Sequence, residues 1–269
     1  MPGQRDGRGM TLAAPGGPAA GCRDGMAATQ IDKVAVVIPA HNEEQALERA
    51  LTSAGTAADR LAVDSPGTEA EVVIVLDACT DRSLEVAAGF AARDLRFRVL
   101  PVGFHSVGKS RRAGCGVVLE SLGGSGAAGI PARRLWLANT DADSQVPEDW
   151  LLRQLELAAA GADLVLGSVE PDAHGTHHEL LARWHSRHAL AEDHPHVHGA
   201  NLGVRASAYL AAGGFPGIDR DEDRILVERI RAGGAAIVST DTTRVLTSGR
   251  TSGRAPGGFA AYLLALAQP

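Results

Sequence analysis

The sequence predicts an α/β fold on a mostly parallel sheet, and three observations carry that expectation. Short apolar runs alternate with helix-period segments from Val34 onward, each run closes on a polar or turn-forming residue, and five such runs pass before the alternation stops near Glu170.

Taken in order, the first run, Val34 to Ile38, is stopped by Pro39. Asn42 is then expected to cap a helix, with Glu43 and Glu44 in its first turn and Leu47, Leu51 and Ala54 on one face. The second run, Val72 to Leu76, ends at Asp77, and Thr80 or Asp81 is expected to cap a helix carrying Leu84, Ala87 and Ala88. Phe97 to Val102 reads as a third strand, followed by a Gly-Lys loop, a small-residue helix from Ser110 to Leu119 and a glycine-rich break from Gly123 to Gly129. Leu135 to Ala138 runs into Asp141 and Asp143, after which Pro147 is placed to open a helix ending near Gly161. Leu164 to Val169 is the fifth strand. Beyond it, Ala200 to Val204 and Ala235 to Val238 should return strands to the sheet, with a helix through Ile225, Leu226, Val227 and Ile230 stopping at Gly233-Gly234.

Bulk properties narrow the function. A chain of 269 residues, 45% of them hydrophobic, can bury a full core. A formal charge of −6 gives no broad attraction for nucleic acid or anionic lipid. Cys22, Cys79 and Cys115 are odd in number and widely spaced, which suits a reducing cytoplasm rather than a disulfide framework. A peripheral position at a membrane is compatible with the chain, but no run reaches the roughly 18 apolar residues of a transmembrane segment. Residues 1–30, rich in Gly, Pro, Ala and Arg, read as a disordered leader ahead of a single domain over 31–269. Nothing in the pattern excludes a homodimer.

In open α/β sheets ligands bind beyond the carboxyl ends of the strands, so polar residues there are the first candidates for chemistry. Glu43 follows the first strand, Asp77 closes the second, and Asp141 with Asp143 follows the fourth. Two carboxylates on one turn suit a hard divalent ion, Mg²⁺ or Mn²⁺, that also contacts phosphates and offsets charge on a departing diphosphate. A competing motif, Gly103 to Ser110, satisfies the Walker A pattern between a strand and a helix and would make the chain an ATP- or GTP-binding protein. Its loop interior, Phe104-His105-Ser106-Val107, lacks further glycine, and it follows the third strand instead of opening the fold. Eight of the ten histidines lie between His174 and His198 without the spacing of a known zinc site, and they are candidates to line an acceptor site. Trp184 among them offers a face for stacking a sugar. Lys109, Arg111, Arg112, Arg250 and Arg254 are candidates for phosphate contacts.

Six pieces in fixed order are similar to family 2 glycosyltransferases: Val36 to Glu44, Val75 to Asp81, Gly108-Lys109, Asn139 to Asp143, His198 to Arg205 and Asp221 to Leu226. The resemblance runs from about Val34 to Gly253 and implies the GT-A fold, a Rossmann-like three-layer α/β sandwich with a mostly parallel central sheet. It implies a nucleotide-sugar half over 31–169 and an acceptor half over 170–269. Pro39, Ala40 and Glu43 would line the nucleoside, Asp77 would meet the base, Lys109 would lie near the nucleotide, and Asp141 and Asp143 would hold the metal on the diphosphate. The donor would be a UDP-sugar first and a GDP-sugar second, and the acceptor a small molecule, lipid or glycan. Glu222-Asp223 matches the acidic pair from which inverting members draw a general base, with Asp223 preferred and Glu222 as fallback. The second piece departs from the usual Asp-Asp-Gly-Ser, carrying Leu76, Ala78 and Cys79 in its place. A non-catalytic nucleotide-sugar-binding homologue is the remaining alternative.

Overall fold

The computed structural model describes residues 30–120, 129–174, 176–188, 190–253 and 258–268. Nearly all of the leader expected over 1–30, most of the glycine-rich break and Arg254 lie outside the described residues. The first half forms β1 (Lys33–Ala40), α1 (Leu47–Asp64), β2 (Glu69–Asp77), α2 (Ser83–Arg93), β3 (Phe97–Val102), α3 (Val107–Glu120) and β4 (Leu135–Asn139). Then follow the short β5 (Ser144–Gln145), α4 (Trp150–Ala159) and β6 (Leu164–Pro171). The second half adds α5 (His178–Arg187), β7 (Leu202–Arg205), α6 (Ala206–Ala211), α7 (Glu222–Ala232), β8 (Ile237–Thr247) and α8 (Phe259–Ala267).

The strands make one eight-stranded sheet in the order β3-β2-β1-β4-β7-β6-β8-β5. Four of the seven pairings are parallel, and the antiparallel ones involve β7 with both its neighbours and β5 with β8. Alternation along β1 divides the core: Val34, Val36 and Ile38 pack with α1 and α4 on one face, while Ala35 and Val37 pack with α3, α6 and α7 on the other. Helices on both faces of the sheet give three layers. Two buried tryptophans are tied to buried amides: Trp136 Nε1 donates to Gln154 at 2.7 Å and Trp150 Nε1 to Asn201 at 2.9 Å.

Helix starts depart from the sequence expectation. Helix α1 begins at Leu47, not at Asn42. Asn42 adopts a left-handed conformation (φ 54°), and its Oδ1 accepts from the backbone N–H of Thr80 and Asp81, so it braces the neighbouring strand-end turn. Helix α4 likewise begins at Trp150, three residues after Pro147, because Val146 and Pro147 first carry the chain out of β5. Helix α2 also starts one residue later than expected, with Arg82 at the cap position and no side-chain cap, while Asp81 just before it accepts the N–H of Ser83. No helix among the described residues is long and apolar enough to cross a membrane.

Candidate active site

The parallel strands β1, β2 and β4 end at one rim of the sheet, and the candidate carboxylates collect there. Pro39 and Ala40 close β1, paired with Val75 and Leu76 of β2. Glu43 is buried in the turn that follows, its backbone N–H donating to Ser83 Oγ at 2.9 Å.

Asp77 is fully engaged. Oδ1 accepts from the amides of Phe104 (2.6 Å) and His105 (2.8 Å), and Oδ2 from the amide of Ser106 (2.8 Å) and the hydroxyl of Ser110 (2.8 Å). Burial alone would raise this carboxyl, but the four donors together hold it below its ordinary value. Four donors fill the acceptor capacity of a carboxylate, so Asp77 anchors the 104–106 loop and has no lone pair left over for a nucleobase. The same bonds occupy the three amides that a Walker-type loop would turn toward a phosphate.

Lys109 is exposed, its stem alongside Gly217. Gly108 before it allows a close approach: a Cβ there would stand 2.4 Å from the Ile218 carbonyl and 2.5 Å from that of Pro216. That contact brings the start of α3 against the start of α7, and so joins the two halves of the site.

Arg111, one turn into α3, occupies the junction. Its side chain is 2% exposed; Nη2 donates to Asp141 and Nε to Glu222 at 3.2 Å, with the guanidinium over the Phe215 ring. Burial would lower its pKa, yet the charges of Asp141, Glu222 and Asp223 outweigh it and raise it. Arg111 was legible as a phosphate candidate only; here it is a buried bridge. The available signal was its position on the buried stripe Gly108, Arg111, Cys115 and Val118 of α3, where an arginine needs partners. Arg112 turns away and donates to the Phe215 carbonyl at 3.1 Å.

Asp143 sits opposite Arg250, which reaches it at 3.0 Å and holds Glu43 with two bonds of 2.9 and 2.7 Å. Burial first, and then the charge of Asp141, push the Asp143 carboxyl up to about 6, against the pull of Arg250. Across the junction, Asp223 lies in the first turn of α7; Oδ2 accepts from the Gly199 amide at 2.7 Å and Oδ1 from the Arg224 amide at 2.8 Å. Burial raises both Glu222 and Asp223, with Arg111 opposing it in each.

The histidine-rich stretch forms a row beside this end of the site. His188 stacks on Trp184 at 4.4 Å, and His196 stands 5.5 Å from His188, 5.8 Å from His194 and 5.9 Å from His198. Burial, and then His196, His194 and His188, push His198 down to about 4. Trp184 is 2% exposed, packed with Leu180, Leu263 and Leu266, and its face is covered by His188, so it offers no surface for a sugar. Among the described residues no group of three or more His, Cys, Asp or Glu is arranged to hold a metal.

A three-layer sandwich with carboxylates gathered beyond β1, β2 and β4 defines the glycosyltransferase A class of fold. Solved structures share the architecture. S. aureus TarS 1–349 superposes with TM-score 0.54 at 15% identity, over 80% of this chain and 60% of that one. The mannosyltransferase PcManGT from Pyrobaculum calidifontis, in complex with GDP-Man and Mn²⁺, gives 0.56 at 20%, over 82% and 58%. Glucosyl-3-phosphoglycerate synthase from Mycobacterium tuberculosis, in complex with Mn²⁺, UDP and phosphoglyceric acid, gives 0.50 at 17%, over 87% and 77%. The chain thus spans about three fifths of the length of the first two. The family model for glycosyl transferase family 2 matches residues 35–209, and the chain belongs to that family. No curated protein sequence matches it.

Proposed function

We propose that this protein transfers a sugar from a nucleoside diphosphosugar to an acceptor hydroxyl in a single displacement that inverts the anomeric centre. The observation that carries the reading is the Arg111 bridge, which binds Asp141 of the donor half and Glu222 of the acceptor half through one buried guanidinium. A donor between these halves would have its diphosphate toward Asp141 and Asp143 and its sugar toward Asp223. UDP-sugars are the first candidates, GDP-sugars the second, and Pro39, Ala40 and Glu43 line the nucleoside.

Asp223 is the general base. An attacking hydroxyl must lose its proton, and a carboxylate whose proton affinity burial has raised accepts it more readily. The Gly199 amide fixes the orientation of that carboxylate. Glu222 is the weaker candidate because the Arg111 Nε already holds its Oε1. Asp77 supports the donor side indirectly, through the loop it anchors.

Asp141 and Asp143 would hold a divalent ion. Burial and the charge of Asp141 raise the proton affinity of Asp143, and the pair calls for positive charge, but it provides only two protein ligands, which suits Mg²⁺ or Mn²⁺ completing its shell with phosphate oxygens and water. When bound, such an ion neutralises charge developing on the leaving diphosphate. The engaged amides of the 104–106 loop argue against the ATP- or GTP-binding alternative.

A thermal-shift panel of UDP-, GDP- and dTDP-sugars with and without Mn²⁺ tests the reading, since a ligand that binds only the folded state raises the melting temperature. Stabilisation by one nucleotide sugar is expected, followed by an inverted product in NMR. Stabilisation by ATP alone, or a product that keeps the donor's anomeric configuration, sinks it.

A further inference from the structure

The candidate metal carboxylate Asp143 already has a cation beside it, and the chain supplies that cation from a fixed point. β8 ends at Thr247, paired with Ser144 of β5, and the Ser248 amide donates to the Asp143 carbonyl at 3.1 Å. Gly249 packs so tightly that a Cβ would stand 1.5 Å from Thr176 Oγ1. These two anchors deliver Arg250 to the rim from the far edge of the sheet. Its side chain is 29% exposed, and the guanidinium bridges Glu43 (9%) and Asp143 (15%). Both bridged carboxylates are largely out of water, where an uncompensated charge is costly and a close cation worth much more than at the surface.

We propose that Arg250 is the resident counter-ion of this site, and that a divalent ion is taken up at Asp143 by exchange, the guanidinium giving up Asp143 while it keeps Glu43. The proposal rests on the metal reading above. Two cations cannot share the inward face of one small carboxylate without mutual repulsion, so Arg250 and the ion compete for it. Glu43 is what makes the exchange economical: its two bonds to Arg250 retain the guanidinium at the rim, where it remains beside the incoming diphosphate. In this arrangement Arg250 sets the metal affinity of the empty protein low, and tight uptake waits for the phosphates of a donor.

Free Mn²⁺ measured by electron paramagnetic resonance against the full chain, without nucleotide, tests this. Arg250→Gln is expected to bind Mn²⁺ on the order of tenfold tighter than wild type, as expected for release of one partly buried ion pair. Arg250→Lys should lie between the two, and Asp143→Asn should lose binding. In wild type, amide hydrogen exchange at residues 248–253 should quicken when Mn²⁺ saturates the site. Equal affinity in wild type and Arg250→Gln, with loss in Asp143→Asn, overturns the exchange and leaves the metal reading standing. Absence of Mn²⁺ binding in every form, with UDP present or not, overturns both. Should Arg250→Gln fail to fold, the wild-type exchange rates decide, and no quickening refutes the proposal.

Discussion

The two halves of the sheet hold their functional groups by different means. β1, β2 and β4 are buried along most of their length, and their carboxylates stand at a rigid strand end, as Asp77 does, or within four residues past one. The strands β6, β7 and β8 carry the proposed acceptor side less directly. Asp223 is on the first turn of a helix, pinned by an amide from the loop before β7, and Arg250 comes from beyond the end of β8. The comparison teaches that the proposed donor half is positioned by strands and the proposed acceptor half by contacts between loops and helices. Substitution of Asp77 in the first should act on stability together with binding, whereas substitution of the proposed base Asp223 in the second should act on turnover and leave donor binding intact.

Asp223→Asn tests that division with the largest effect. It keeps the side chain's shape and the Gly199 bond but removes proton affinity, so turnover should fall on the order of 10²–10⁴-fold while donor binding holds. Near-normal turnover on an identified acceptor would move the base elsewhere. Asp77→Ala is the counterpart in the donor half. It strands the amides of Phe104, His105 and buried Ser106 and the Ser110 hydroxyl, and should cost about 2–4 kcal/mol in urea unfolding. If stability is kept and only affinity falls, Asp77 meets the nucleotide directly.

Asp143→Asn should weaken Mn²⁺-dependent donor binding in calorimetry by at least roughly 10–100-fold, the loss that removing a mere ligand-orienting partner already causes. Donor affinity unchanged in excess chelator would remove the ion from the scheme. The smallest effect belongs to the histidine row. His198 has an ordinary value of 6.5 in the unfolded chain and about 4 in the fold, so the unfolded state binds the extra proton between those limits. Its neutral form therefore favours the fold above about pH 6.5, and that advantage is lost as pH falls toward 4. In His198→Gln the gap between unfolding midpoints at pH 7.5 and 5.0 should narrow; an unchanged gap would assign the pH dependence to other groups.

Legibility in the sequence followed the same division. The strands of the donor half were readable because Val34 to Ile38 and Val72 to Leu76 are continuous apolar runs, as burial on both faces demands. β5 was not, since Ser144 and Gln145 are polar and owe their strand character to a partner a hundred residues away. β8 extends nine residues past Val238, where the apolar run stopped, because Asp241, Thr242 and Arg244 alternate with buried Thr243 and Val245. Candidate carboxylates could be picked out by their place after strands, but their partners could not. Nothing local says that Arg111, thirty residues before Asp141, and Arg250, more than a hundred after Asp143, meet those carboxylates. The order of elements was thus local information, while charge pairing was a product of tertiary closure.

The antiparallel strand β7 also has a bearing on how the protein is made. It lies between β4 and β6, although β6 precedes it in the chain. During synthesis the four strands β3-β2-β1-β4 can assemble first, and β4 then waits as an unprotected edge with Leu135 to Asn139 ready to pair. Only when Leu202 to Arg205 has emerged does that edge receive its partner. A nascent chain stalled between residues 140 and 200 would therefore present a hydrophobic, pairing-competent strand to other chains, which makes that interval of translation the one where a chaperone has most to protect.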